Sequence, residues 1–260
     1  MKIITCGILL CLTILSAIAQ VKKPTRPAIR PPFSESLQAL VVATKNWDAV
    51  QGTARLYERK TASSQWKPAG ESFLVVVGRS GLGLDDDINH DLWGTPSSYT
   101  KPVAKREGDG RSPAGLFPLT FAFGSKTTPV TKLPYTDLKE FTECVDDVNS
   151  NHYNTIVDRM QVGAYDWKSS EKMLAVGEAY ERGVFVAYNS YPPQKGAGSC
   201  IFLHIWKDEN TGTSGCTAMK RSDLESLLTH LDPAKTPYLV QMPLDTYRSQ
   251  QKSWKLPKLK

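Results

Sequence analysis

The sequence has little histidine and little cysteine, four and five residues in 260, and that narrows the chemistry open to it. His90 and His152 lie in polar, loop-like stretches and His230 near the end of an expected helix. None stands at metal-ligand spacing from a cysteine or carboxylate, so no metal and no cofactor is expected. The glycine-rich stretch 78–84 lacks the lysine and the strand-turn-helix setting of a phosphate loop and reads as a turn. Asp85-Asp86-Asp87 with Asn89 lacks the glycine and distal glutamate of a calcium loop and reads as a solvated acidic loop. There is no repeat of fixed period, and no basic stripe interleaved with aromatics of the kind single-strand binders use.

Long apolar runs are also missing, apart from Ile3 to Ile18. That run is short for a membrane span and ends in Ala17-Ile18-Ala19, the small-x-small pattern of a signal-peptidase site. Residues 1–19 are therefore expected to be a signal peptide, membrane contact to be limited to that transient segment, and the chain to be exported to the periplasm or cell envelope. Cys6 and Cys11 would leave with the signal. Residues 20–34 hold Pro24, Pro27, Pro31 and Pro32 among lysines and arginines, the composition of an extended, unpacked linker. The net charge of +6 suits an anionic partner, and the export signal disfavours nucleic acid. A basic but merely solvated surface fits the same number.

What is present is a series of short apolar or alternating runs between Gly, Pro, Asn and Asp clusters, which predicts a mainly β fold with a few helices. Strands are expected at 37–43, 53–58, 73–77, 115–120, 183–190, 200–206 and 238–242. Helices are expected at 169–179 and from the capping box Ser222-Asp223-Leu224-Glu225 to Pro233. The basic tail, 246–260, is expected to be loose. Alternation along 200–206 places Cys200, Phe202, His204 and Trp206 on one face and Ile201, Leu203 and Ile205 on the other, core-facing side.

That strand is followed, after a short polar loop, by Thr213-Ser214-Gly215-Cys216-Thr217-Ala218-Met219. One histidine and one cysteine thus flank a turn, the one arrangement in the chain able to make a nucleophile. A thiol attacks as its thiolate, so the expectation is an exposed turn, with His204 as base lowering the pKa of Cys216 and the amides of Gly215 and Cys216 stabilising an oxyanion. The plain alternative is a buried cysteine acting as a small hydrophobe and a satisfied core histidine. After loss of the signal, Cys144, Cys200 and Cys216 remain, an odd number for an oxidising compartment. If Cys216 is the nucleophile, Cys144 and Cys200 are the available disulfide pair, against the alternative that both are reduced and buried.

Here the chain resembles a known family. His204 followed by Thr213-Ser214-Gly215-Cys216 is similar to the signature of the L,D-transpeptidase catalytic domain, and Ser112-Pro113-Ala114-Gly115-Leu116-Phe117 resembles that family's (Thr/Ser)-Pro-x-Gly-x-Phe segment. With Cys144-Val145-Asp146-Asp147, Tyr153-Asn154 and Gly198 to His204, the likeness runs from about residue 70 to 243. It departs at Ser214, where the family usually has histidine, and at Thr217-Ala218, where it often has arginine or asparagine. The resemblance implies a β-sandwich-like catalytic domain over 35–245. It implies attack by Cys216 on peptidoglycan stem peptides through an acyl-enzyme, with His204 as base and Ser214 as an extra hydroxyl donor. Asp147, Tyr153, Asn154 and Trp206 are candidates to line the cleft, although an Asx-turn for Asp147 and core packing for Tyr153 are open alternatives. A monomer is expected. The same residues would serve a cysteine L,D-carboxypeptidase or endopeptidase, and a non-catalytic wall-binding module would need none of them for chemistry.

Overall fold

The structure, a computed structural model, describes residues 31–85 and 103–259. The signal peptide, most of the linker, and Asp86, Asp87, Asn89 and His90 lie outside the described residues. The strands are β1 (Gln38–Thr44), β2 (Gln51–Glu58), β3 (Lys67–Pro68), β4 (Phe73–Val76), β5 (Leu82–Leu84), β6 (Ser112–Gly124) and β7 (Tyr135–Asp137). They continue as β8 (Thr142–Val145), β9 (Ile156–Asp158), β10 (Ser170–Lys172), β11 (Gly183–Val186), β12 (Phe202–Ile205), β13 (Thr217–Met219) and β14 (Tyr238–Pro243). Among the described residues there are also three short α-helices, α1 (Arg159–Val162), α2 (Arg221–His230) and α3 (Leu244–Gln250), and a few 3-10 turns. About 33% of the described residues are in strands and 17% in helices, 3-10 segments included, the strand-rich class expected.

The main sheet runs β1-β14-β6-β11-β12-β13-β4-β2, and a β1–β2 pairing closes that path into a ring, a more definite topology than a two-layer sandwich. Its interior is set by alternation. Leu40 and Val42 of β1, Ala54 and Leu56 of β2, and Leu203 and Ile205 of β12 point inward and pack with Leu224, Leu227 and Leu228 of α2. The opposite face of β1, Ala39 and Val41, packs with Val240, Met242, Tyr247 and Leu256. With both faces covered, β1 reads as one continuous apolar run.

A second, three-stranded sheet, β10-β8-β9, sits outside the ring. Between it and the outer face of β11 and β12 lies a cluster of Phe123, Phe185, Phe202, Tyr180, Met173, Cys144, Cys200 and Cys216. Glu143 is the polar hub of the small sheet. Fully buried, it accepts from Trp167 Nε1 at 2.8 Å and from the Ser170 hydroxyl at 2.6 Å, and pairs with Lys172 at 2.7 Å and Arg159 at 3.2 Å.

Several expectations are corrected. The tail is not loose: α3 packs on β1 and β14, Tyr247 is fully buried, and its hydroxyl donates to the Pro257 carbonyl at 2.7 Å. The described end of the linker is packed as well, since Phe33 stacks on Trp66 and Arg59 donates to the Ser34 carbonyl at 2.7 Å. The helix expected at 169–179 is β10 followed by a 3-10 segment, Met173–Tyr180, interrupted at Gly177. The capping box does not form. The helix α2 starts at Arg221 after an extended Lys220, so Ser222 lies inside its first turn. Residues 82–84 form β5, a strand parallel to β6, rather than remaining turn.

Candidate functional site

Strands β12 and β13 run parallel with Leu203 opposite Thr217 and His204 opposite Ala218. That register sets Cys216 level with Phe202, and the Phe202 N–H reaches the Cys216 sulfur at 3.4 Å. His204 follows two residues along the neighbouring strand, offset by about 4.8 Å across and about 6.6 Å along. Both side chains leave the ring on the same outer face. The Nδ1 of His204 meets the Ile205 carbonyl at 2.8 Å. A carbonyl only accepts, so that contact assigns the proton to Nδ1 and leaves Nε2 as an acceptor. Burial holds the imidazole below its ordinary pKa, opposed by the Ile205 carbonyl.

The expectation of an exposed, low-pKa thiol is corrected. Cys216 is 7% exposed, and its sulfur donates to the Cys200 carbonyl at 3.5 Å. Burial first, then the nearby Glu171 carboxyl, pushes the thiol well above its ordinary value, against smaller opposing effects of the Phe202 N–H, Tyr180 and Lys105. The resting group is a neutral thiol.

Tyr180 packs against both His204 and Cys216. Its ring sits edge-on to His204 with centroids 5.4 Å apart, and edge-on to Phe202 and Phe123. Its hydroxyl donates to Glu171 Oε2 at 2.7 Å and is in hydrogen-bonding contact with the Cys216 sulfur. Glu171 is raised to about 7, by burial first and by the charges of Asp146 and Glu107, against the Tyr180 hydrogen bond. Behind it, Glu107 accepts from the Ser199 hydroxyl at 2.8 Å and from Tyr153. The buried Lys105 pairs with Asp109 at 2.8 Å. Sequence reasoning missed Lys105, Glu107, Glu171 and Tyr180. No periodicity or motif marks them, because only tertiary packing brings them to the thiol.

The turn before Cys216 is held from several sides. The Thr213 hydroxyl donates to the Cys216 carbonyl at 2.6 Å and accepts from the Gly215 N–H at 3.1 Å. Ser112 donates to the same carbonyl at 2.7 Å while accepting from the Gly78 N–H at 2.8 Å. The first residue of the Ser-Pro-x-Gly-x-Phe segment therefore acts as a brace for the turn. The Gly215 N–H, expected to face an oxyanion, is spent on Thr213 in this state. A Cβ on Gly215 would stand 3.2 Å from the Arg111 carbonyl oxygen, a tight contact that the neighbouring backbone would have to yield to.

Cys144 and Cys200 form a disulfide with Cα atoms 6.0 Å apart, leaving Cys216 the free cysteine among the described residues. The bridge ties the small sheet to the residues entering β12. The candidate cleft residues are otherwise employed. Asp147 accepts from the backbone of Asn149 at 2.9 Å and Lys168 at 2.7 Å, which holds its carboxyl below the ordinary range. Asn154 is buried, donating to the carbonyls of Tyr188 at 2.9 Å and Asn189 at 2.6 Å and accepting from Cys200 N–H at 3.0 Å. Tyr153 is buried against Glu107 and accepts from the Gly198 N–H at 3.1 Å. Tyr153 and Asn154 are thus buried braces of the fold, and the partly exposed Asp147 holds its own turn. Trp206 is half-buried just beyond β12, its backbone N–H donating to the Met219 carbonyl at 2.9 Å. Ser214 is exposed and accepts from Arg79 at 3.2 Å.

A strand-rich domain carrying a cysteine turn beside a histidine strand is the setting in which the comparisons fall. The family model described as YkuD, the L,D-transpeptidase catalytic domain, matches residues 50–240. The chain therefore belongs to the YkuD family. No curated protein matches it in sequence. Among solved structures, the helical cell shape determining protein Pgp2 from Campylobacter jejuni is similar at 10% identity with a TM-score of 0.36, covering 80% of this chain and 48% of that one. This chain thus spans about half the length of that protein.

Proposed function

We propose that the protein is a cysteine-dependent L,D-transpeptidase acting on peptidoglycan stem peptides. The observation that carries this reading is the placement of Cys216 and His204 on one face of adjacent strands, with His204 in the tautomer whose Nε2 can take a proton. The Cys216 sulfur attacks the carbonyl carbon of the scissile amide as its proton passes to His204. The C–N bond breaks, the leaving amine takes that proton, and a thioester remains. An acceptor amine then attacks the thioester and regenerates the thiol. The resting thiol is buried in contact with the Tyr180 hydroxyl, and in this proposal the entering peptide moves Tyr180 aside before attack. Export to the periplasm or envelope is part of the proposal, supported by the disulfide, which persists in oxidising compartments.

The neutral, buried thiol is the observation that favours a second reading, a wall-binding module without chemistry. Product analysis by mass spectrometry after incubation with a tetrapeptide-stem muropeptide separates these. A cross-linked dimer or an exchanged terminal D-amino acid is expected. A shortened stem alone indicates a hydrolase of the same scaffold, and unchanged muropeptides across several stems indicate the binding module.

A further inference from the structure

Arg79 occupies a position beside the Cys216 turn that neither the motif nor the proposed chemistry uses. Its backbone N–H donates to the Thr213 carbonyl at 2.8 Å, and the Thr213 N–H donates to the Val77 carbonyl at 2.9 Å, so residues 77–79 are clamped to the turn. The exposed side chain lies over Gly110, where a Cβ would come 3.0 Å from its Cζ, and Gly212 leaves room for its backbone, where a Cβ would come 2.6 Å from its Cα. One guanidinium N–H donates to Ser214 Oγ at 3.2 Å.

Several other cations of the domain are already paired. Arg111 holds Asp48 at 3.2 Å and the Leu82 carbonyl at 3.0 Å, Lys105 holds Asp109, and Arg221 holds Glu178 at 3.1 Å and Glu181 at 2.8 Å. Among the described residues no carboxylate pairs with Arg79. Since Ser214 accepts from the guanidinium, its own hydroxyl proton is available to a second acceptor. A planar guanidinium donor and an adjacent hydroxyl donor together match the two oxygens of a carboxylate.

We infer that Arg79 and Ser214 form the subsite for a free carboxylate of the peptide substrate. This rests on the proposed peptide substrate, and binding can be read without turnover. In the Cys216→Ser chain, affinity is measured for a tetrapeptide stem with a free terminal carboxylate and for the same stem as terminal carboxamide.

The carboxylate form should bind on the order of ten-fold or more tightly. Adding Arg79→Gln should erase that preference by weakening the carboxylate form alone, and Arg79→Lys should restore part of it. An unchanged ratio in Arg79→Gln, an equal loss for both peptides, or no measurable binding of the carboxylate peptide overturns the subsite. If the preference collapses as expected while the unmutated chain forms no acyl-enzyme, the subsite stands and the transpeptidase reading fails. Turnover with an unchanged ratio means the reverse.

Discussion

At the scale of single residues, the Tyr180 hydroxyl has one proton and two claimants, Glu171 and the Cys216 sulfur. While Glu171 is ionised it takes that proton in a hydrogen bond. Once protonated, Glu171 can donate to Tyr180 and free the Tyr180 proton for the sulfur. The raised Glu171 pKa also has a stability consequence. Its folded value, about 7 against an ordinary 4.5, means the folded chain binds the proton more tightly than the unfolded chain. Its contribution is complete below about pH 4.5, declines as pH rises toward 7 and is flat above, a difference on the order of 3 kcal/mol. Thermal unfolding of Glu171→Gln against the unmutated chain should show the variant gaining relative stability between pH 5 and 8. A constant gap across that range would contradict the raised pKa of the Glu171 carboxyl. Nothing near Glu171 in the sequence announces this, because the burial is supplied by Tyr180 and the Cys144–Cys200 region from elsewhere in the chain.

At the scale of elements, the alternation of 200–206 was legible. Ile201, Leu203 and Ile205 are core residues of the ring and Phe202 faces the second cluster, as the period of two requires. The family segments were legible too, and Ser112 shows why one of them is needed, as the brace of the Cys216 carbonyl. The exposure of Cys216 was not legible, since Gly212 and Gly215 signal a tight turn whether the turn faces water or packs against a neighbour. The α2 boundary was misread because its phase is fixed by Leu224, Leu227 and Leu228 meeting the core, which overrides a local capping pattern. The disulfide belongs at this scale, as it fastens β8 to the approach of β12. Its two cysteines are 56 residues apart, and opening that loop costs about 4 kcal/mol by chain entropy. The double variant Cys144→Ser/Cys200→Ser should lower the free energy of denaturant unfolding by about that amount. It should also speed Cys216 alkylation, because the Cys200 carbonyl that accepts the thiol proton is released. An unchanged alkylation rate would separate the bridge from the thiol.

At the scale of the whole molecule, the strand-rich class was readable from the spacing of turn residues, while the closure of the ring was not. Closure depends on β1 pairing with both β2 and the distant β14, and no sequence window reports a contact between the two ends of a domain. The tail was misjudged for a related reason. Its lysines are conspicuous, but Tyr247 and Leu256 complete the outer core over β1. The ring and small sheet together bury the thiol, and the central claim is that a substrate peptide uncovers it for His204. Intact-mass analysis of the chain during its first turnover with a tetrapeptide-stem muropeptide tests this most directly. The account predicts an acyl adduct that maps to Cys216, absent in Cys216→Ser and formed at least 100-fold more slowly, a factor of about 10²–10⁴ being typical for a general base, in His204→Ala. An adduct that forms at the same rate without His204, or no adduct on Cys216 at all, would contradict it.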